Sequence, residues 1–204
     1  MGFCYIFACK ATDQRRNSAS AVVRTMQPGW TIIPRLFMTS KIYLRQPELV
    51  DEQVFLNAAR QSHTLHQPWT TAPASSAEFR AYVERMAQAS NKAFFVSRRD
   101  TDALVGVINI TNIVLGQFCS AYLGFYAFAG QERQGFMREG LQALTQHAFT
   151  ALQLHRLEAN IQPDNAASID LVTACGFAKE GFSPRYLKIG DQWRDHERWA
   201  ILAS

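Results

Sequence analysis

The spacing of apolar residues divides the chain near residue 37. Residues 1–37 keep neither a helical nor a strand period and carry a polar Gln-Arg-Arg-Asn-Ser patch followed by Pro-Gly-Trp. From Met38 onward the pattern is regular. Lys41–Arg45 alternates, with Ile42 and Leu44 on one face, and predicts a first strand. Two helices follow: Val50–Arg60, with Val50, Val54, Phe55, Ala58 and Ala59 as its stripe, and Ser76–Ala89, with Phe79, Val83 and Met86 as its own. Ser75 and Glu78 have the spacing of a capping box at the start of the second. Between them lies LHQPWTTAP, a loop with two prolines and a bulky Trp69.

The β-rich runs AFFVSRR and ALVGVINITNIV are joined through Asp100-Thr-Asp and predict a hairpin. CSAYLGFYAF is a further strand, followed by the turn AGQERQG and a helix running through Leu152. HRLEANI is a strand, and QPDNAASIDLVTACGF a helix with Pro163 before it and Gly176 at its end. Two strands around EGFSPRYLKI and WRDHERWAIL close the chain, with Gly190-Asp191 turning between them. The order β-α-α-β-β-β-α-β-α-β-β predicts an α+β (α/β) domain with a mixed, mostly antiparallel sheet of about seven strands and four flanking helices.

Length and composition add bounds. A chain of 204 residues, 48% of them hydrophobic, makes one domain with a sizeable core. Its net charge of +4 invites a nucleic-acid reading until it is located. Residues 1–37 hold five basic residues and one acidic, which leaves 16 of each sign, out of 21 and 17, in 38–204. The main body is neutral, and neither nucleic acid nor membrane is expected as a partner. Met38 begins MTSKIYLR, so the functional domain is expected to span 38–204, with 1–37 a poorly ordered extension or a translated upstream region. The four cysteines form no CxxC pair, no apolar run reaches the roughly 20 residues of a membrane helix, and the N-terminus lacks the positive start of a secretory signal. A cytoplasmic protein, monomer or homodimer, is the expectation.

The turn after CSAYLGFYAF raises the chemical question. A turn opening a helix presents unpaired N–H groups at the positive end of the helix dipole, which suits phosphate. Gly130 and Gly135 have P-loop spacing, but Phe136 and Met137 stand where that motif needs Lys and Ser or Thr. No G-x-G-x-x-G is present, so a Rossmann site is excluded as well. Taken alone, the glycines are equally compatible with an unliganded strand–helix connection.

Taken with the Asn-x-x-Ser helix start NIQPDNAAS and the terminal Cys-Gly-Phe, however, the turn resembles that of the GNAT superfamily of N-acetyltransferases, closest to the RimJ/RimL type. The resemblance runs in order through YLRQPELVD, YLGFYAF, the turn, HRLEANIQPDNAASIDLVTACGFAKEGF and YLKIGDQWRDH, nearly all of 38–204. It implies the GNAT fold, acetyl-CoA as cosubstrate without a metal, and transfer of the acetyl group to an amine by direct attack in a ternary complex. It implies that Gly130, Gln131, Glu132, Arg133, Gln134, Gly135, Phe136 and Met137 form a pyrophosphate loop of the type Q/R-x-x-G-x-G/A. Here the earlier glycine position holds Arg133, which either costs affinity or lends its guanidinium to the phosphates, the reading preferred here.

The same resemblance places the coenzyme's arm between splayed strands Tyr122–Phe128 and Arg156–Ile161, and oxyanion-stabilising N–H groups near Phe125 and Tyr126. Asn160 occupies a position where some relatives carry a catalytic Glu, and Arg185 one where some carry an acid. Glu158, on the same strand face as Asn160, is the nearest replacement, with an ion pair to Arg156 its equally open structural role. Ser168 is implied as the group that hydrogen-bonds the coenzyme sulfur, and Asn165 as a contact to the coenzyme arm as well as a cap. His66 with Trp69 is implied at the lip of the acceptor groove, and Tyr186 is implied as a further contact to the acceptor. His63 and His66 lack a third metal ligand. His155 and His196 read as structural, and Cys119 and Cys175 as small core residues.

Three functions compete. The acceptor is a protein N-terminal amine, or a small amine such as an antibiotic, polyamine or amino acid, or the domain binds acyl-CoA without catalysis. An α-amine with pKa near 8 is ~10% neutral at pH 7, against well under ~0.1% for a lysine, so a site lacking the family's carboxylates suits the first best.

Overall fold

The computed structural model describes residues 37–204. The expectations for 1–37 lie outside the described residues, Phe37 apart. The strands are β1 (Phe37–Met38), β2 (Ile42–Arg45), β3 (Lys92–Arg98), β4 (Leu104–Val114), β5 (Ser120–Ala127), β6 (Arg156–Ile161), β7 (Ala178–Ile189) and β8 (Gln192–Leu202). They form one sheet in the order β1-β2-β3-β4-β5-β6-β8-β7, antiparallel at every junction except β5–β6. The seven expected strands are present, and the two-residue β1 is added at the edge beside β2. Helices α1 (Glu52–Gln61), α2 (His63–His66) and α3 (Ser76–Met86) lie between β2 and β3; α4 (Phe136–Thr150) and α5 (Ala166–Ala174) flank β6.

Each face of the sheet carries its own core. Under α4 and α5, Phe94, Val96, Ile108, Leu141, Leu144 and Leu157 are sealed from solvent. Under α1 and α3, Phe55 forms the centre of an aromatic cluster, 4.9 Å from Phe79, 5.6 Å from Phe95 and edge-on to Phe128 at 5.7 Å. The central strand β3 therefore buries Phe94 and Val96 on one side and Ala93 and Phe95 on the other, and this explains why its sequence is an unbroken apolar run.

The α1 stripe differs from its expectation. Val50 and Val54 are exposed at 69% and 58%, while Phe55, Leu56 and Ala59 are buried. The cause is a short 3-10 turn over Leu49–Asp51, which takes Val50 out of phase with the helix. That turn is pinned by a bidentate ion pair, Arg45 Nη1 and Nη2 to the Asp51 carboxylate at 2.7 and 2.6 Å, with Glu48 N–H donating to the same carboxylate at 2.8 Å. At α3, Ser75 accepts from Glu78 N–H at 3.3 Å, but the Glu78 carboxylate reaches Ala74 N–H, one residue beyond the expected capping-box partner. Among the described residues no helix is long and apolar enough to cross a membrane.

Candidate functional site

The parallel pair β5–β6 is short. It is in register from Ser120↔Arg156 to Leu123↔Ala159 and stops there. Beyond that point β5 continues with Gly124–Ala127 paired only to β4, and Asn160 and Ile161 are paired only to β8. The two strands thus part with unpaired backbone groups on their facing edges, where an extended ligand can add as a strand would. Asn160 Oδ1 is buried and has no hydrogen-bond partner. Gly106 backs the free part of β5: a Cβ at this position would lie 2.5 Å from the Tyr126 carbonyl oxygen and 2.6 Å from Met137 Sδ. No side chain fits there, and the sequence reading passed over this glycine because it sat inside an ordinary strand pattern.

The turn leaves β5 through Phe128, whose N–H meets Val105 O at 2.7 Å, and Ala129, whose N–H meets Ser62 Oγ at 2.8 Å. Three left-handed residues then shape it: Gly130 at φ +82°, Arg133 at +59° and Gly135 at +81°. The left-handed value at Arg133 is one that glycine adopts freely and a residue with a Cβ only under strain. Gln134 Nε2 donates to Gly130 O at 2.9 Å and closes the loop. Gly135 is the N-cap of α4 without a side-chain cap, and the first bond onto it comes from Glu139 N–H at 3.1 Å. The N–H groups of Phe136, Met137 and Arg138 therefore point out of the helix end unpaired, at the positive pole of a 15-residue dipole. The side chains of Phe136 and Met137 are buried in the core, so these two residues offer the site only their backbone. Gln131 Oε1 is buried without a partner. A cleft of about 420 Å³ opens beside Gln134 and Phe136, with Lys41 and Arg99 on its wall.

At the other end of the opening, Asn165 caps α5, its Oδ1 accepting from Ser168 N–H at 3.2 Å. Ser168 is half-buried, and its hydroxyl enters none of the hydrogen bonds among the described residues. Phe125 packs partly buried against the α4–α5 core, while Tyr126 faces the opposite cluster. Burial pushes the Tyr126 phenol well above its ordinary pKa.

Several site residues sit differently from their expected roles. His66 lies beneath the groove and not on its lip: it is 5% exposed, edge-on to Tyr126 at 4.9 Å, and its Nε2–H donates to Ala127 O at 2.8 Å. Burial holds its pKa below the usual imidazole value, and the charge of His63 adds to this against the opposing pull of the Ala127 carbonyl. Trp69 is half-buried, and its carbonyl accepts from Gln162 Nε2 at 3.4 Å. Glu158 is engaged by Arg156 Nε at 2.7 Å, and the same guanidinium grips both oxygens of Glu180. Glu180 is consequently held below the usual carboxylate pKa.

Tyr186 is half-buried, edge-on to His196 at 6.2 Å, and its hydrogen bond to Tyr122 raises the Tyr122 phenol. His63 and His66 turn to separate partners, Gln67 and Ala127. Among the described residues no three His, Cys, Asp or Glu side chains gather as a metal site. Cys175 is half-buried and packs against the α4–α5 core as expected, while Cys119 is half-buried without joining either core; burial pushes the Cys175 thiol up to about 11, which leaves it unreactive. Tyr122, Glu180 and Gly106 were missed as parts of the site. Only the parity of β5, which puts Tyr122 on the face of Tyr126, marked the first of them.

A family model described as an acetyltransferase (GNAT) domain matches residues 41–178. The ribosomal protein uS5-alanine N-acetyltransferase of Escherichia coli (strain K12) is 38% identical over 111 residues, 53% of this chain and 57% of that enzyme, so the match spans little more than half of the relative. Mycobacterium smegmatis RimJ, solved in complex with CoA-disulfide, is similar in structure with a TM-score of 0.74 and 26% identity, over 79% of this chain and 82% of that one. The spermidine N(1)-acetyltransferase of Vibrio cholerae is 23% identical over 171 residues, 82% of this chain and 96% of that enzyme.

Proposed function

The chain belongs to the GNAT acetyltransferases, enzymes that move an acetyl group from acetyl-CoA to an amine, and from that premise we propose that its acceptor is the α-amine of a protein N-terminus. One observation carries this choice: Arg156 ties up both carboxylates on the inner face, Glu158 and Glu180, so neither stands free as a strong base. An α-amine with pKa near 8 loses its proton to water or a weak acceptor at neutral pH, whereas an alkylamine near 10.4 is almost wholly protonated. The 38% identity to an enzyme named for a protein alanine acceptor supports the same reading.

The residues present fit the coenzyme. Unpaired N–H groups at the start of α4 suit a diphosphate, and Gln131, with its side-chain amide turned over, offers a further donor. The Arg133 guanidinium adds charge at the same place. Free edges on Gly124–Ala127 and on β6 suit amides of an extended arm. When bound, acetyl-CoA supplies an acyl carbon activated as a thioester. The Phe125 N–H then stabilises negative charge on the acyl oxygen; the Tyr126 N–H, expected beside it, is turned by strand alternation toward Val107 on β4. Asn160 Oδ1 accepts an N–H of the incoming amine and orients its lone pair, and Ser168 donates its hydroxyl proton toward the sulfur as it takes up charge. Glu158, fixed by Arg156, positions that wall of the site, and Trp69 and Tyr186 border the acceptor.

A polyamine acceptor is the second reading, favoured by the 23% identity that extends over most of the spermidine enzyme. Acetyl-CoA turnover with a panel of peptides and polyamines, read by mass spectrometry, separates the two. Acetylation of peptide α-amines supports the proposal; coenzyme A release with polyamines alone refutes it.

A further inference from the structure

Resting on that reading, we propose that the acceptor is a peptide carrying acidic side chains just after its first residue, recognised by Arg198 and Arg194 of β8. Asn160 and Arg198 are direct partners across β6–β8, so the arginine stands beside the residue assigned to the attacking amine. On this face of β8 the series continues through His196 to Arg194, which lies four residues farther along, about 14 Å at the usual strand rise. A peptide extended from Asn160 along β8 therefore brings its second or third side chain to Arg198 and its fourth or fifth to Arg194.

Both arginines lack a carboxylate within ion-pair distance among the described residues, unlike Arg156, which has two. Arg194 Nε is buried with no hydrogen-bond partner, a costly state for a guanidinium that a bound carboxylate would relieve. The Arg198 guanidinium is exposed and lies over Gly181, where an added Cβ would meet Nη2 at 2.5 Å, so the absence of a side chain on β7 makes room for it. The neighbouring acids of β8 point the other way. Glu197 alternates to the opposite face, where Lys179 and Trp199 Nε1 hold it, and Asp195 accepts from Arg185 N–H.

The opposite rim is equally free of negative charge. Residues 62–75, tied to the opening through His66, Ser62 and Trp69, contain no Asp or Glu. Among the described residues the carboxylates of this face, Glu158 and Glu180, are already held by Arg156, so a polycation finds little to bind, while an acidic peptide meets Arg194 and Arg198, the second sharing only the longer-range field of Glu180.

The test uses the full chain with saturating acetyl-CoA and peptides that share one N-terminal residue and differ only at positions 2–5, carrying Glu, Gln or Lys. The Glu peptide is expected to exceed the Lys peptide in kcat/KM by about tenfold at low salt, with the gap closing as salt rises. Arg198→Glu is expected to reverse the order, and Arg198→Lys to keep it. Equal rates for all three peptides, or an order unchanged in Arg198→Glu, overturn this inference while leaving the N-terminal acceptor standing. Acetylation of polyamines with no peptide acetylated overturns both.

Discussion

The two halves of the site are built from different materials. The half proposed to hold the coenzyme, where β5 turns into α4, is made of backbone: N–H groups of residues 132–138 and two strand edges, aimed by left-handed residues and by the absence of a side chain at Gly106. Its side chains are either exposed, as in Glu132 to Gln134, or turned into the core, as in Phe136 and Met137. The half proposed to take the acceptor, on the opposite face of the sheet from α4, is made of side chains from five elements: His66, Tyr126, Tyr122, Glu158, Arg156, Glu180 and the arginines of β8. The first half depends chiefly on backbone shape, with Gln131 and Arg133 as its side-chain additions. The second depends on each contact separately.

The largest expected effect lies outside the site, at the side-chain pair that sets the start of α1 on the α1–α3 side of the sheet. Arg45 and Asp51 are 8% and 6% exposed and meet in a bidentate pair; removing one partner strands a buried charge at a cost of about 3–5 kcal/mol. Asp51→Ala is therefore expected to lower stability by that amount in chemical denaturation, while the fraction that stays folded binds acetyl-CoA normally. A loss below about 1 kcal/mol, the range of an exposed pair, would break the contrast.

Next comes the backbone half. Gly106→Ala drives a methyl against the Tyr126 carbonyl oxygen and Met137 Sδ, an overpacking that costs about 1–3 kcal/mol. Because the displaced backbone is the free edge of β5, calorimetry is expected to show acetyl-CoA affinity falling together with stability. Unchanged affinity in a destabilised variant would mean that this edge does not hold the coenzyme.

Arg133 offers a finer separation. Arg133→Ala keeps the strain of a left-handed Cβ and loses the cation, so acetyl-CoA binding is expected to weaken about fivefold. Arg133→Gly loses the cation but removes the strain, and the two effects, each on the order of 1 kcal/mol, nearly cancel. Much tighter binding by Arg133→Gly would show that the guanidinium contributes nothing.

The smallest expected effect is a pH dependence from His66. Its folded pKa lies below the unfolded value of 6.5, so the unfolded chain binds the extra proton. Stability is then full above that value and falls as the pH drops through it. Denaturant midpoints measured from pH 8 to 5 should decline on the acid side, and His66→Gln should flatten the decline; an equal slope in the variant would place the titration elsewhere.

This division also explains what the sequence disclosed. Strands, helices and the turn before α4 are local and periodic, and a turn of backbone donors leaves its mark in glycines, so Gly130 and Gly135 could be read directly. Arg133 was read as a departure, but its left-handed φ becomes visible only in three dimensions. The acceptor half joins residues far apart in the chain: Arg156 and Glu180 are 24 positions apart, and His66 and Ala127 are 61. No local pattern announces such a pair, which is why His66 was expected on the lip and Glu180 was overlooked. Val50 was misplaced for a related reason, because the Arg45–Asp51 pair, and not the helical period, sets where α1 begins.

The central claim is that the amides opening α4 hold the coenzyme's diphosphate. Hydrogen–deuterium exchange of the full chain with and without acetyl-CoA reads those amides directly. Slower exchange across residues 132–138 and along 124–127, with the α1–α3 face little changed, is the predicted result. Exchange that stays the same across 132–138 at saturating acetyl-CoA would contradict it.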